Sequence, residues 1–205
     1  GLLEAILERQ WRLLEPLSPR FNSMKAQVLY RRLDLDRRRG RFDRALFVKY
    51  LELPRQVPYA RTSYLERFTH DALPFSLGQD FSESLGYSSI SNDEELVSEY
   101  LAHFLTGAPD TKPFDTWIED RFLTRLYAST QMLAAQGDME RWFSLMDDPE
   151  ACQALKERVS LEFVKSNPSR FDSDSAVSLE LDIKNIASLT VKIFEINALT
   201  YYLAQ

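Results

Sequence analysis

The sequence predicts a mainly α protein: a helical bundle or α-array of about seven helices, then a short antiparallel β segment of three or four strands. Three observations carry this. Apolar residues recur at helical spacing from Leu2 to the region of Val159. From Ser160 the spacing changes to a period of two. Gly40, Gly107 and Gly137, with Pro16 and Pro149, punctuate the helical part where helices should stop or start.

Residues 2–15 place Leu3, Ile6, Leu7, Leu13 and Leu14 against Glu4, Glu8, Arg12 and Glu15, and Pro16 closes this first helix. A second helix is expected from about Met24 to Arg39, stopped by Gly40. "DRALFVKYLEL" (43–53) is apolar nearly all round and fits either a buried helix or a strand, with helix preferred by continuity with its neighbours. Residues 54–90 carry several breakers and little pattern. Such a long connection is either functional or packed by its own aromatics, here Tyr59, Tyr64, Phe68, Phe75, Phe81 and Tyr87. Packing is the preferred reading.

The next helix should begin with Ser91 as N-cap and Glu94 as its capping-box partner, and bury Leu96, Val97, Tyr100, Leu101, Phe104 and Leu105. A further helix is expected from Pro113, repeating Phe114, Ile118, Phe122 and Leu126. Asp138 caps another, and Asp148–Pro149 starts the last. Trp11, Trp117 and Trp142 lie on helical faces and belong to the core. Asp93, Glu94, Glu95, Asp147 and Asp148 read as charges at helix starts.

Beyond Ser160, Leu161 and Phe163 alternate with polar residues, and "VSLELDIKNIASLTVKIFEIN" (177–197) reads as two amphipathic strands about a short turn. The division follows: a helical domain over 1–158 and a β segment over 159–205, the latter either the start of a β-sandwich domain or a small sheet packed on the helices. Open strand edges also allow a dimer through edge pairing. In this stretch Lys184-Asn185-Ile186 and the Leu189, Val191, Ile193 alternation resemble the opening strands of macroglobulin-type domains in large bacterial alpha-2-macroglobulin-like proteins. That resemblance implies an architectural protein of the periplasm or cell surface; without it, the cytoplasm is the expected compartment. The thioester motif of the trapping members is absent, since Cys152 is followed by Gln153, Ala154 and Leu155.

Hydrophobic residues at 44% and aromatics at 12% suffice for a packed core. A net charge of -6 argues against a general nucleic-acid binder, and no apolar run approaches the length of a membrane span, so no membrane insertion is expected. One cysteine excludes internal disulfides. Six glycines, none clustered, leave no phosphate-cradling loop. His70-Asp71 lacks an accompanying activated nucleophile, and Glu99 with His103 would supply two metal ligands without a third. No catalytic residue, cofactor site or metal site is expected, and no enzyme.

The densest charge run is "RRLDLDRRRGRFDR" (31–44), with seven arginines against three aspartates. Its Arg37, Arg38, Arg39, Arg41 and Arg44 are the candidate partner-binding residues, because guanidinium groups make two-pronged contacts with carboxylates. The plainer reading is a helix C-terminus whose cations favour the dipole and pair with Asp34 and Asp36. The sequence therefore points to a non-catalytic scaffolding or protein-interaction module of a larger multidomain protein, bound to a protein partner or to neighbouring domains of its own chain. The alternative is a self-contained α+β ligand-binding domain that uses the 54–90 loop.

Overall fold

Leu7 and Leu14 share a face of the first helix, α1 (Leu2–Leu14), and pack with Val28 of α2 (Asn22–Arg38) in a small core of their own. The computed structural model describes residues 1–68, 74–146, 148–168 and 170–194. Lys25 of α2, itself nearly buried, donates to the carbonyls of Glu15 and Leu17 at 3.1 and 2.6 Å. It satisfies carbonyls that the end of α1 leaves unpaired. After α2 the chain turns at Gly40, whose φ of +67° suits glycine; a Cβ there would also lie 3.3 Å from the Ser166 backbone nitrogen.

The 43–53 stretch is a helix, α3 (Arg44–Leu51), and its N-cap Asp43 accepts from the Leu46 N–H at 3.0 Å. Two one-turn helices, α4 (Thr62–Leu65) and α5 (Ser82–Leu85), lie in the 54–90 connection and raise the helix count above the expected seven. Four longer elements follow: α6 (Glu94–Leu105), α7 (Asp120–Leu133), α8 (Met139–Leu145) and α9 (Pro149–Glu157).

The main core gathers Leu29 and Leu33 of α2, Phe47 and Tyr50 of α3, Leu96, Val97, Tyr100 and Leu101 of α6, and Leu123 and Ala128 of α7. Each fully buried Leu or Phe contributes about 1.5–3 kcal/mol relative to exposure. Side chains from one helix also donate to backbone carbonyls of another. Gln131 of α7 donates to the Leu105 carbonyl at 2.7 Å, and Tyr100 of α6 to the Leu33 carbonyl at 3.0 Å.

Two helix starts differ from expectation. The helix expected from Pro113 is only a 3-10 turn (Lys112–Phe114), and α7 begins at Asp120 with Glu119 as N-cap, accepting from Phe122 N–H at 3.0 Å. The interruption has a cause: Arg61 N–H donates to the Trp117 carbonyl at 2.9 Å, and Glu119 N–H to that of Tyr59 at 2.8 Å. The 59–61 backbone thus pairs with 117–119 where a helix would have run. Similarly, α6 starts at Glu94 instead of after Ser91, and Asn92 accepts from its N–H at 2.8 Å.

Asp93 is unavailable as a cap because its carboxylate is wholly buried. It accepts from the Tyr50 and Tyr59 hydroxyls at 2.5 Å each and from Arg55 at 3.2 Å. Arg55 also donates to the Tyr50 carbonyl at 2.5 Å, and its guanidinium lies 4.5 Å from the Tyr50 ring centre and 5.2 Å from that of Phe75. Burial, followed for Tyr50 by the Asp93 charge, holds both phenols above their ordinary pKa, so they remain donors. With Tyr59 and Phe75 buried as well, the described part of the 54–90 connection is anchored to the core by its own aromatics.

The β segment is smaller than expected. It has two strands among the described residues, not three or four: β1 (Ser160–Phe163) and β2 (Leu181–Lys184), antiparallel, with Leu161 opposite Ile183 and Phe163 opposite Leu181. Residues 189–194 form no strand, although they alternate in sequence, because alternation reports amphipathic character and not a partner edge. Residues 195–197 of the expected hairpin lie outside the described residues. The sheet turns an apolar face outward: Leu161, Phe163 and Ile183 are all exposed. Polar groups hold it to the helices. Lys184 donates to the Leu155 carbonyl at 2.5 Å, Asn185 to those of Lys156 and Arg158 at 2.7 and 3.0 Å, and Lys165 pairs with Glu99 of α6 at 2.7 Å.

Asp93→Ala leaves a buried guanidinium and two buried hydroxyls without their acceptor, and is expected to cost about 3–5 kcal/mol in urea unfolding. Glu95→Ala, at an exposed position two residues on, should cost less than about 1 kcal/mol.

Candidate interaction surface

The arginine-rich run spans the end of α2, the Gly40 turn and the start of α3. Its five candidate residues are not equivalent. Arg37 is committed within the chain: it bonds Asp34 at 2.8 Å, Glu95 at 3.0 Å and Glu99 at 2.8 Å, with only 12% of its side chain exposed. Because Lys165 shares Glu99, Arg37 belongs to a junction of α2, α6 and the β segment.

Arg39 and Arg41 reach the first helix. Both bond Glu4, at 2.8 and 2.9 Å, and Arg41 also bonds Asp36 at 2.5 Å. The Gly1 amine, then Arg39 and Arg41, pull the Glu4 carboxyl from 4.5 down to about 2. Arg38 pairs with Asp34 at 2.8 Å, yet 72% of its side chain is exposed. Arg44 is exposed, lies 5.7 Å from the Phe114 ring centre and makes no ion pair among the described residues. The turn therefore offers Arg38 and Arg44 outward as the least engaged pair, with one edge each of Arg39 and Arg41.

The other candidates have structural employment. Glu99 serves Arg37 and Lys165, while the His103 ring stacks on Phe42 at 4.0 Å, so the two do not converge. Among the described residues, no group of three His, Cys, Asp or Glu side chains could hold a metal ion. Cys152 is buried and its thiol pKa is raised, first by that burial. His70, Asp71 and Asp147 lie outside the described residues. A hollow of about 580 Å³ opens between residues 55–57, 74–78 and 91–93. Its inner wall includes Arg55 and Asp93, which already satisfy each other. Sequence reasoning missed this pair, because Asp93 looked like a helix-start charge and Arg55 lies 38 positions away.

A depressed folded pKa gives Glu4 a stabilising share that is complete above about 4.5 and lost as pH falls through about 2. Glu4→Gln should therefore lower the thermal midpoint at pH 7, and the gap between variant and parent should close as pH approaches 2.

Residues 2–159 match the family described as the actin-binding protein F N-terminal domain. Actin-binding protein F of Dictyostelium discoideum is 28% identical over 182 residues, covering 88% of this chain and 8% of that protein. The chain thus spans less than a tenth of the curated relative's length. No solved structure matches the chain significantly. The resemblance of 177–197 to macroglobulin-type domains is overturned by this assignment: period-two alternation is common to amphipathic strands in general and carries no family signal of its own. The periplasmic or cell-surface setting that it implied falls with it. The family's description names a binding protein. By the match over 2–159, the chain belongs to the actin-binding protein F N-terminal domain family.

Proposed function

We propose that the helical part, residues 1–158, is a non-catalytic contact module of a longer cytoplasmic actin-associated protein, with actin as its partner and the exposed arginine turn as its contact. The observation that carries this reading is the family match over 2–159. Support from the geometry is local: Arg38 and Arg44 stand on one turn with their guanidinium groups accessible, suited to a carboxylate-bearing surface. The hollow beside Arg55 and Asp93 favours a ligand-binding reading of the 54–90 segment. That reading ranks second, because its two charged groups are already paired with each other.

Residues 159–205 form in this proposal a β segment joined to the helices through Lys184, Asn185 and Lys165. The outward apolar face of Leu161, Phe163 and Ile183 supports a sandwich-like continuation on its other side.

Co-sedimentation of the 205-residue chain with filamentous actin tests the contact. Binding should weaken with added salt, and the double variant Arg38→Glu, Arg44→Glu should lose about tenfold in affinity while retaining its unfolding midpoint. Absence of the wild-type chain from the pellet at low salt would reject actin as its partner. A chain of residues 1–158 tests the division. It should keep one cooperative thermal transition with a frayed α9, whereas a broad, non-cooperative loss of ellipticity would join the two parts into one unit.

A further inference from the structure

The ends of α7, α8 and α9 enclose a groove of about 520 Å³ that the arginine turn does not share. Its apolar surface comes from Met132 and Leu133 of α7, Met139 and Phe143 of α8, and Leu155 of α9. Leu133, Met139 and Phe143 are 48%, 39% and 47% exposed, so large side chains line an open trough at the surface. Clustered apolar exposure of this kind marks contact sites. The two methionines make the wall adaptable, since an unbranched thioether can fit many neighbouring shapes.

Charge selects the occupant. Lys156 and Lys184 lie on the α9 side of the groove, and neither has a carboxylate partner among the described residues. Lys184 spends one donor on the Leu155 carbonyl and has two further donors to offer. Glu140 is the one acidic group on the lining, and it comes from the α8 wall. An occupant with apolar anchors and carboxylates along one flank would place those carboxylates toward α9 and away from Glu140.

We propose that this groove binds an amphipathic helix of a partner protein, with apolar side chains at helical spacing in the trough and an acidic flank against Lys156 and Lys184. A trough between helices suits a helix: anchors at i, i+3, i+4 and i+7 fill a hydrophobic groove in a recurring mode of peptide recognition. The inference goes beyond the actin reading and uses different elements, so either can fail alone.

Fluorescence polarisation on the full 205-residue chain is the test, with two fluorescein-labelled helical peptides of about four turns. Both carry leucine at the anchor positions; one has glutamate on the flanks, the other lysine. The glutamate peptide should bind about tenfold more tightly, and Lys156→Glu should reverse the preference. Met139→Asp should weaken both peptides by about tenfold, with helix content unchanged by circular dichroism. The proposal is overturned by equal binding of the two peptides, by no binding of either, or by indifference to Lys156→Glu. Two further outcomes also overturn it. A concentration-dependent mass that Met139→Asp abolishes would assign the groove to a second copy. Saturable binding of dodecanoate without peptide binding would assign it to small amphiphiles.

Discussion

The Arg55–Asp93 pair is the constraint on which the helical architecture turns. A buried carboxylate and a buried guanidinium are each costly to remove from water, and only close pairing with further hydrogen bonds offsets that cost. Here Tyr50 and Tyr59 supply those bonds, so one cluster joins α3, the 54–61 segment and the start of α6. With these three fixed, the 59–61 backbone is set against 117–119, and this defines where α7 begins. The connection between α3 and α6 therefore sends Arg55, Tyr59 and Phe75 into the core, although it has the composition of a loop.

A second layer of order comes from charges at the surface of the bundle. Glu4, Asp34, Asp36 and Glu99 collect the arginines of the α2–α3 turn, binding α1 and α6 to the same helix end. Exposed ion pairs contribute little singly. Arg37 differs because it is largely covered and meets three carboxylates. The segment richest in positive charge is thus uneven: Arg37 serves the fold, while Arg38 has one exposed ion pair and Arg44 has none among the described residues.

Much of the helical part was legible in the sequence because helical spacing and caps are local signals. The α6 face of Leu96, Val97, Tyr100 and Leu101 follows directly from spacing, and Asp138 caps α8 through a neighbouring N–H group, as its place before the helix implies. The failures are non-local. Asp93 could not be recognised as a core residue without Arg55, and the break before α7 depends on backbone pairing with residues nearly 60 positions earlier. The β segment misled for a related reason: Leu189, Val191 and Ile193 have the pattern of a strand, but a strand also needs an edge to pair with. At the candidate surface the arginine run was visible at once. Which of its members are free depends on Glu4, Glu95 and Glu99, residues distant in sequence.

Lys184 and Asn185 close the carbonyl end of α9 from within the β segment. The last turn of that helix therefore has no complete hydrogen-bond set of its own. Release of β2 returns those carbonyls to water, and fraying of α9 removes the acceptors that hold β2. In time, the two elements should share a clock: deuterium uptake at the closing turn of α9 is expected to keep pace with uptake along β1 and β2, and the α6 interior to exchange on the far slower schedule of the core.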